Sequence, residues 1–371
     1  MSSNKQLSSQ NIVASSCIDR WIRADIRALK PYHVPDSNDL IKLDAMENPY
    51  TWPEPLIAEW LEVLRNVSLN RYPDPASRKL KHHLYQSFAI PDTVDVLLGN
   101  GSDELIQMIM LAVSAPGRVI LAPEPTFSMY RMITITAGMK YTGVPLQNDF
   151  SLDADAILAA ITEHQPAVVF LSYPNNPSGN LFDADVMRMI IETAPGLVVV
   201  DEAYHAFADA TFIERLEEYH NLMVLRTLSK MGLAGLRLGL LAGDARWLAE
   251  INKIRLPYNI NILAQVSAEF ALGHREIIEE QTRQICRDRE AMFQELRRLD
   301  DITVYPSHAN FILFRVASGR ATEIFESIKS HDVLIKNLHN AGGLLSDCLR
   351  VTIGKPDENR AFMSALKAAL K

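Results

Sequence analysis

The sequence predicts an α/β fold, in which a mostly parallel sheet flanked by helices forms a large domain and a smaller α+β domain follows it. Short apolar runs alternate with helical patterns from about residue 54 onward. Apolar runs of this length that are bounded by glycine, proline or aspartate are typical of buried strands. Strands that alternate with helices form βαβ units, whose strands lie parallel. The alternation ends after Leu256, which indicates a second domain.

The elements of the large domain follow one another in a regular order. Helical patterns are predicted at 54–65, 76–89, 102–114, 127–137, 153–164 and 183–193. Strands are predicted in the apolar runs VDVLLG, RVILA, AVVFLS, LVVVDE, NLMVLR and LRLGLLAG. In open α/β sheets, ligands bind outside the carboxyl ends of the strands. The residues that follow each predicted strand are therefore the first candidates for a functional site.

The remainder of the chain predicts a smaller domain with a different order of elements. A long helical stretch at roughly 262–299 comes first. It is followed by the strand-like runs ITVYP, NFILFRV, VLIKN and CLRVTIG, with a helix near 320–330 and a final helix at the end of the chain. This order is typical of an α+β domain.

Length and composition exclude several classes of protein. The chain has 371 residues, of which 48% are hydrophobic and 22% charged, and this balance is typical of a soluble globular protein with two domains. The formal net charge of −8 argues against nucleic-acid binding as the main role. No apolar run approaches the roughly 20 residues of a membrane span, and the polar N-terminus has no secretory signal. Three distant cysteines, Cys17, Cys286 and Cys348, indicate reduced thiols in the cytoplasm, and neither a disulfide framework nor a metal site.

Polar segments follow the predicted strands at the edge where a ligand is expected. AVVFLS is followed by YPNNPSG, LVVV by DEAYHAF, LMVLR by TLSKMGLAGLR and VLLG by NGSDE. The glycines of GNGSDE allow a close approach of the backbone, and the helix that follows offers free N–H groups to a phosphate. Arg237 can supply the counter-charge to the same phosphate. These segments together predict a ligand that carries a phosphate.

Four further side chains match the other groups of one cofactor. Asp201, at a buried strand end, can pair with a protonated ring nitrogen, and Tyr204 and Asn176 can donate hydrogen bonds to a ring oxygen. Lys230 can form an imine with an aldehyde. A phosphate, a pyridinium, a phenolate and an aldehyde in one molecule describe pyridoxal 5′-phosphate (PLP), whose enzymes use a lysine and an acidic partner for the ring nitrogen.

The ordered set YPNNPSG, DEAY, TLSKMGLAGLR and NGSDE resembles the class I and II aminotransferases, which are PLP-dependent transferases of fold type I. The segments LKPYHV, LDAMENPY, NRYPDP, PEPTFSMY and CLRVTIG are similar to those of the histidinol-phosphate aminotransferases. The resemblance runs from about residue 26 to the end of the chain and implies a seven-stranded, mostly parallel sheet and a cytoplasmic homodimer. It also implies a flexible N-terminal tail over 1–25, an arm over 26–53 that contributes to the small domain and the dimer, a PLP-binding large domain over 54–260 and a small domain over 261–371.

The same resemblance implies a role for each residue of the cofactor site. Lys230 would bind the cofactor covalently and carry a proton during catalysis, while Asp201 would keep the ring nitrogen protonated. Asn176 and Tyr204 would bind the ring hydroxyl oxygen, and Tyr72 of the second subunit would reach the phosphate, which makes the enzyme an obligate dimer. The remaining contacts would come from Phe127 on the ring face and from Ser102, Asp103, Ser229 and Arg237 at the phosphate.

The resemblance also implies how the substrates are held. Arg350 would bind the α-carboxylate of glutamate through two parallel hydrogen bonds. Tyr32 and Lys336 would help to bind the substrate phosphate, and Asn176 would lie beside the substrate. The implied reaction moves an amino group between glutamate and 2-oxoglutarate on one side and histidinol phosphate and imidazole acetol phosphate on the other.

Three positions depart from the pattern of many family members. Arg237 follows Lys230 by seven residues, one fewer than is usual, and we predict that the intervening glycines let it reach the phosphate nonetheless. Lys336 stands where many members have arginine, so it can bind a phosphate as a point charge but without the two-pronged guanidinium. Met46 stands where asparagine is frequent, and nothing in the sequence explains that change.

Two alternative functions stay open at this point. The same chemistry could serve an aromatic amino-acid aminotransferase, or a PLP lyase that acts on a phosphorylated amino acid. A protein of this fold could also be catalytically silent and serve as a binding or regulatory module, although the complete set of cofactor-binding side chains speaks against that reading. LVVVDEAY resembles a Walker B strand as well, but the phosphate-binding loop that an ATPase needs does not occur in the sequence.

Overall fold

A computed structural model describes residues 17–31, 35–37 and 39–371, and its large domain is built on a seven-stranded sheet. In chain order the strands are β1 (Ile41–Lys42), which lies outside this sheet, and then β2 (Asp95–Gly99), β3 (Val119–Glu124), β4 (Lys140–Pro145), β5 (Val168–Ser172), β6 (Leu197–Asp201), β7 (Leu222–Thr227) and β8 (Gly239–Gly243). The spatial order is β2-β8-β7-β6-β5-β3-β4. β8 runs antiparallel to both of its neighbours, and the other pairs are parallel. The predicted α/β fold with a mostly parallel seven-stranded sheet is confirmed.

Helices connect these strands in the predicted order. They are α1 (Ala24–Ala28), α2 (Glu54–Arg65), α3 (Arg78–Ser87), α4 (Ser102–Val113), α5 (Met129–Thr136), α6 (Ala154–His164), α7 (Ala184–Thr193) and α8 (Ala245–Asn252). The helices α2 to α7 correspond to the six predicted helical patterns, with ends that differ by no more than two residues. The short helices α1 and α8 were not predicted.

The central strands are buried on both faces, and this explains why they could be found in the sequence. On β6, Val198 and Val200 pack into the apolar cluster on one face, and Leu197 and Val199 into the cluster on the other. All four side chains are fully buried. Since successive side chains of a strand point to opposite faces, a strand that is covered on both sides becomes a continuous apolar run.

Strand β4 is the member of this sheet that the apolar runs did not predict. Val144 is the only residue of its sequence, KYTGVP, that is buried. β4 lies at the edge of the sheet beside β3, where one side of the strand has no neighbouring strand. Edge strands often carry charged or polar residues that block pairing with other chains, so a continuous apolar run is not required there.

A buried ion pair fixes the carboxyl end of β6. Arg226 Nη2 lies 2.8 Å from Glu202 Oε2, and both side chains are almost completely buried. The hydroxyl of Thr211 and the backbone N–H of Phe212 donate to the same carboxylate. Removing one partner of a buried pair typically costs about 3–5 kcal/mol, because the other charge stays buried without compensation. The residue that precedes Glu202, Asp201, is therefore held on a rigid strand end.

The small domain is built on a four-stranded antiparallel sheet. Its strands are β9 (Thr303–Val304), β10 (Phe311–Arg315), β12 (Lys336–Asn337) and β13 (Cys348–Thr352), in the order β12-β13-β10-β9, and β11 (Val333–Leu334) pairs with β1 in a separate two-stranded sheet. Its helices are α9 (Ile262–Gly273), α10 (Arg275–Leu296), α11 (Ala321–Lys329) and α12 (Pro356–Ala369). Because β1 pairs with β11, the residues before the large domain are tied to the small domain.

The helical stretch predicted over 262–299 was wrong in one respect, since it forms two helices. α9 ends at Gly273 and α10 begins at Arg275, with the non-helical His274 between them. α9 packs its alanines against the apolar cluster of the large domain, whereas α10 contributes Ile285 and Met292 to the cluster of the small domain. Because Ile278 of α10 still packs into the large-domain cluster, the chain passes from one apolar core to the other within α10, after the break. The predicted division into four parts stays a prediction, and most of the segment 1–25 lies outside the described residues.

In the part of the chain that the structure describes, no helix has the length and apolar character that crossing a membrane requires.

Candidate active site

The carboxyl ends of β5, β6 and β7 open into a small cavity of about 100 Å³ that collects the predicted cofactor-binding residues. Its lining consists of Met46, Ser102, Asp103, Phe127, Ser172, Asn176, Asp201, Ala203, Tyr204, Thr227, Ser229, Lys230 and Arg237. Every cofactor ligand predicted from within this one chain is in that set. Met46, Ser172, Ala203 and Thr227 were not predicted as part of it. The sheet thus brings together side chains that are far apart in the sequence.

Asp201 lies at the last position of β6 and is almost completely buried. Its Oδ2 accepts a hydrogen bond of 2.6 Å from the hydroxyl of Tyr130, and its Oδ1 accepts one of 3.1 Å from the backbone N–H of Ala203. Burial raises the pKa of the Asp201 carboxyl to about 6, and the bond from Tyr130 opposes that rise. A buried carboxylate of this kind is stabilised by a nearby cation, and a protonated ring nitrogen would be one.

Lys230 lies in a 3-10 turn, Ser229–Met231, directly beyond β7. Its Nζ donates a 3.4 Å hydrogen bond to the carbonyl of Ala45 and lies 5.8 Å from the centre of the Tyr204 ring. Burial, followed by the positive charge of Arg350, lowers the pKa of the Lys230 amine to about 8. A sizeable fraction of the amine is therefore neutral near neutral pH, which a lysine that attacks an aldehyde requires.

The N-terminus of α4 and the guanidinium of Arg237 form the anion-binding end of the cavity. Arg237 Nη2 lies 3.5 Å from Asp103 Oδ2, and Nη1 lies 3.5 Å from the hydroxyl of Ser229. Gly101, directly before α4, has φ +89°, and an added Cβ would lie 2.8 Å from Arg237 Nη2. Gly239 is equally constrained, because its Cβ would lie 2.7 Å from the backbone N of Ser102. These glycines leave the N–H groups at the start of the helix accessible to an anion.

The shortened segment between Lys230 and Arg237 forms two consecutive 3-10 turns. Gly232 between them has φ +99°, and Arg237 itself adopts the left-handed conformation with φ +50°. With this geometry the Arg237 side chain turns toward the start of α4 and not away from it. Its role as a phosphate ligand stays a prediction.

Asn176 links the cofactor cavity to the predicted substrate site. Its Nδ2 donates a 3.2 Å hydrogen bond to the hydroxyl of Tyr204, and its Oδ1 accepts one of 2.6 Å from Arg350 Nη1. Arg350 is buried, donates through Nη2 to the carbonyl of Asp44 at 3.1 Å and lies over the ring of Phe311. The guanidinium is therefore oriented before any substrate arrives.

A larger cavity of about 830 Å³ adjoins the first and shares Met46, Phe127 and Asn176 with it. Lys336 and Arg350 both line this cavity and lie directly opposite each other across β12 and β13. Arg131 also lines it and forms an ion pair of 2.9 Å with Glu124. Directly opposed residues of paired strands project to the same face, so the side chains of Lys336 and Arg350 present two positive charges to a ligand in this cavity. The cavity is suited to a small molecule with an anionic group.

Two residues that were predicted for the site, Tyr72 and Tyr32, are not among the described residues that line these two cavities. The side chain of Tyr72 is 80% exposed, and its ring stacks on that of Tyr258 with 4.3 Å between the ring centres. The contact predicted from Tyr72 to the cofactor phosphate of a second subunit stays a prediction. Tyr32 lies outside the described residues.

The structure shows the backbone conformation of the unusual methionine, for which it gives no explanation, and adds a tyrosine that the sequence did not reveal. Met46 has φ +54°, a left-handed conformation that asparagine adopts more readily than most other residues. An asparagine would therefore hold this conformation at a lower steric cost than Met46 does. Tyr130 is buried behind Asp201. It was missed because its position in α5 is that of an ordinary core residue.

The residues present fit PLP. A buried carboxylate, a lysine with a lowered pKa and an arginine at a glycine-flanked helix N-terminus surround one cavity. These groups match the ring nitrogen, the aldehyde and the phosphate of the cofactor. Asn176 and Tyr204, which are hydrogen-bonded to each other, carry the N–H and O–H groups that are predicted to bind its ring oxygen.

Known proteins with a similar sequence or fold lead to the same chemistry. A sequence model of the family described as aminotransferase class I and II matches residues 38–366. The chain is 59% identical to histidinol-phosphate aminotransferase 2 of Nitrosococcus oceani, over 95% of this chain and 98% of that protein. It is 48% identical to histidinol-phosphate aminotransferase 2 of Cupriavidus pinatubonensis, over 97% of this chain and 100% of that protein.

Two solved structures share the fold. One is the histidinol-phosphate aminotransferase from Clostridium acetobutylicum, with a TM-score of 0.81 and 25% identity over 89% of this chain and 98% of that chain. The other is the histidinol-phosphate aminotransferase from Sinorhizobium meliloti in complex with pyridoxal-5′-phosphate, with a TM-score of 0.83 over 94% of this chain and 97% of that chain. At 22% identity the second likeness concerns the fold alone.

Proposed function

This chain belongs to the class I and II aminotransferases, and from that membership we propose that it is a PLP-dependent histidinol-phosphate transaminase of histidine biosynthesis. It transfers the amino group of glutamate to imidazole acetol phosphate, which yields 2-oxoglutarate and histidinol phosphate, and it also catalyses the reverse transfer. The observation that carries the proposal is the pair of adjoining cavities. One holds Lys230 and Asp201, and the other presents Lys336 and Arg350 to the same space. Relatives that are named for this activity match the chain over nearly its full length.

The side chains divide the chemical work among them. When it is bound, PLP supplies an aldehyde that condenses with amines and a ring that takes up electrons. Lys230 offers an amine whose pKa is lowered to about 8, so that a larger fraction of it is neutral near neutral pH than for an ordinary lysine. Its Nζ is the group that takes a proton from the substrate α-carbon and returns one. Asp201 provides the negative charge that keeps the ring nitrogen protonated. Asn176 and Tyr204 orient the ring through its hydroxyl oxygen.

The anionic groups of cofactor and substrate meet separate cations. Arg237, Ser229 and the start of α4 bind the phosphate of the cofactor. Arg350 binds the carboxylate of glutamate, and Lys336 beside it binds the phosphate of histidinol phosphate. Both amino donors carry an anionic group, so the same two cations, Lys336 and Arg350, can bind the donor in each of the two half-reactions. Phe127 covers the ring face and excludes water from it.

A substrate panel tests the choice of amino donor. We expect kcat/KM for histidinol phosphate, with 2-oxoglutarate as acceptor, to exceed that for phenylalanine by about tenfold to a hundredfold. The reason is that phenylalanine lacks the phosphate, and a hydrogen bond to a charged group contributes about 1.5–3 kcal/mol. Initial rates measured with each donor at several concentrations provide the comparison.

Lys336→Met supplies the matched control for that panel. It should lower kcat/KM for histidinol phosphate and leave that for phenylalanine nearly unchanged, because only the former has a phosphate. A preference of the wild type for phenylalanine would instead support an aromatic amino-acid aminotransferase. If glutamate produced no spectral change in the PLP-loaded protein, a silent binding protein would be the better description.

The protein is also proposed to be a homodimer. Tyr72, Leu69 and Leu256 are 80%, 72% and 71% exposed, and the first stacks on the exposed Tyr258. Large apolar side chains that cluster on a surface mark an interaction site, and a second copy of the chain would cover them. The resemblance to the family supports a contact from Tyr72 of one copy to the cofactor phosphate of the other.

Light scattering and cofactor titration test this assembly together. We expect a mass of twice 41.6 kDa in solution. Tyr72→Phe should keep that mass but weaken PLP binding by about tenfold, since it removes a hydrogen bond to a charged phosphate. A fully active monomer would contradict the proposal.

The cytoplasm is the proposed place of action. Cys17, Cys286 and Cys348 are all free, with the first exposed and the last buried, which suits a reducing compartment. Fractionation of cells followed by activity measurement in each fraction decides the matter, and activity confined to an exported fraction would rule it out.

A further inference from the structure

We propose that Tyr130 is a positioning residue that holds the Asp201 carboxylate in place for the ring nitrogen of bound PLP. The inference rests on the proposed role of Asp201 and assigns the hydroxyl of Tyr130 a part in it. Tyr130 is not among the residues that line the two cavities of the site. Its influence on the cofactor must therefore pass through Asp201.

The tyrosine ring is immobilised by its neighbours. Tyr130 is fully buried and stacks on Phe170 with 4.7 Å between ring centres and an interplanar angle of 18°. Its other neighbour is Phe127, whose ring meets it edge to face at 5.5 Å. With the ring fixed, the hydroxyl oxygen is held 2.6 Å from Asp201 Oδ2, to which it donates a hydrogen bond. Buried tyrosine hydroxyls usually find a partner, but here that partner is also the carboxylate of the site.

Two donors on two different oxygens fix the plane of the carboxylate. The hydroxyl of Tyr130 donates a hydrogen bond to Oδ2, and the backbone N–H of Ala203 donates one of 3.1 Å to Oδ1. A carboxylate has about four acceptor positions, so two donors leave capacity for a third on the cavity side. Rotation about the bond to the carboxyl group would break one of the two existing contacts. Asp201 is therefore oriented before the cofactor arrives.

The same hydroxyl keeps the carboxylate charged. Burial by itself favours the protonated acid, and hydrogen bonds donated to the charged form oppose it. Of the groups that act on Asp201 in this direction, Tyr130 has the largest effect. An Asp201 that had taken up a proton of its own could no longer hold one on the ring nitrogen. The benefit from Tyr130 thus depends on the presence of that nitrogen in the ligand.

This dependence distinguishes positioning from a merely structural role. The decisive measurement is the affinity of the apoenzyme for PLP and for its 1-deaza analogue, in which carbon replaces the ring nitrogen. We expect the wild type to bind PLP more tightly than the analogue. In Tyr130→Phe that ratio of affinities should fall by about tenfold, the effect of losing one hydrogen bond to a charged group. Affinity for the analogue should change little.

Tyr85→Phe is the matched control. The Tyr85 hydroxyl donates a 2.9 Å bond to the carbonyl of Val94, a neutral acceptor, and Tyr85 lines neither cavity of the site. The same substitution there should leave the ratio of affinities at the wild-type value. An equal loss for both ligands in Tyr130→Phe, or an unchanged ratio, would overturn the inference.

A measurement on the wild-type protein covers the case in which Tyr130→Phe does not fold. An isotope-labelled tyrosine introduced at position 130 should give a ring resonance that differs between the PLP-loaded and the analogue-loaded holoenzyme. Identical resonances would count against the inference. If the wild type bound PLP and the analogue equally, Asp201 itself would lack the proposed role, and the inference would fall with it. Failure to bind PLP at all would instead refute the proposed function.

Discussion

Replacing Lys230 with alanine is expected to abolish the covalent attachment of PLP and to reduce transamination by at least about 10²–10⁴-fold, the contribution of a positioned acid–base group. Among the residues that the structure describes, no other lysine lines the small cavity with Asp201 and Arg237. The phosphate contacts at Arg237 remain in the variant, so PLP should still bind, though without a covalent bond. The measurement is the visible absorbance of the purified protein, followed by single-turnover mixing with glutamate.

Lys253→Ala and Lys230→Arg complete the comparison. Lys253 lies on the surface, 68% exposed and paired with Glu250, so its loss should leave both absorbance and rate unchanged. Lys230→Arg keeps a positive charge but lacks a neutral amine, so it should be as inactive as the alanine variant. A Lys230→Ala protein with the visible band and full activity would show that the wrong lysine had been assigned.

Replacing Asp201 with asparagine should lower the rate of the glutamate half-reaction by about two to four orders of magnitude. Removing one partner of a buried charge pair costs about 3–5 kcal/mol, and here the partner left behind would be the protonated ring nitrogen. The ring would give up that proton and become a weaker acceptor of electrons. Stopped-flow absorbance after mixing the PLP-loaded variant with glutamate measures the effect directly.

The stability of the apoenzyme separates this effect from damage to the fold. The pKa of Asp201 in the folded protein, about 6, lies above the ordinary value of 3.8. Folding stability is therefore lost as the pH rises from 3.8 to about 6, and the ionised carboxylate destabilises the folded apoenzyme at neutral pH. Asp201→Asn should therefore leave the thermal unfolding temperature of the apoenzyme at neutral pH unchanged or raise it. The exposed Asp185 gives the control, since Asp185→Asn should alter neither rate nor cofactor spectrum. A large fall in apoenzyme stability with Asp201→Asn would point to a structural role.

Much of the fold could be predicted because its signals are local. The central strands are buried on both faces and therefore appear as unbroken apolar runs, and the residues after them form short motifs of fixed order. The edge strand β4 gave no such signal, because most of its side chains are partly or fully exposed and need not be apolar. The break at His274 was missed because α9 and α10 both keep a helical pattern and are separated by a single non-helical residue.

By itself, the sequence determined the chemical groups of the site and their order along the chain: Asn176, Asp201, Tyr204, Lys230 and Arg237 all precede or follow strands that it marked clearly. Tertiary structure alone decided how those groups are supported. Tyr130 meets Asp201 across 71 positions, and Arg350 meets Asn176 across 174. Such contacts depend on the spatial order of the strands and on the packing between domains, which hydrophobic periodicity does not encode. A tyrosine in an apolar helix has the same pattern whether its hydroxyl meets a backbone carbonyl or the carboxylate of the site.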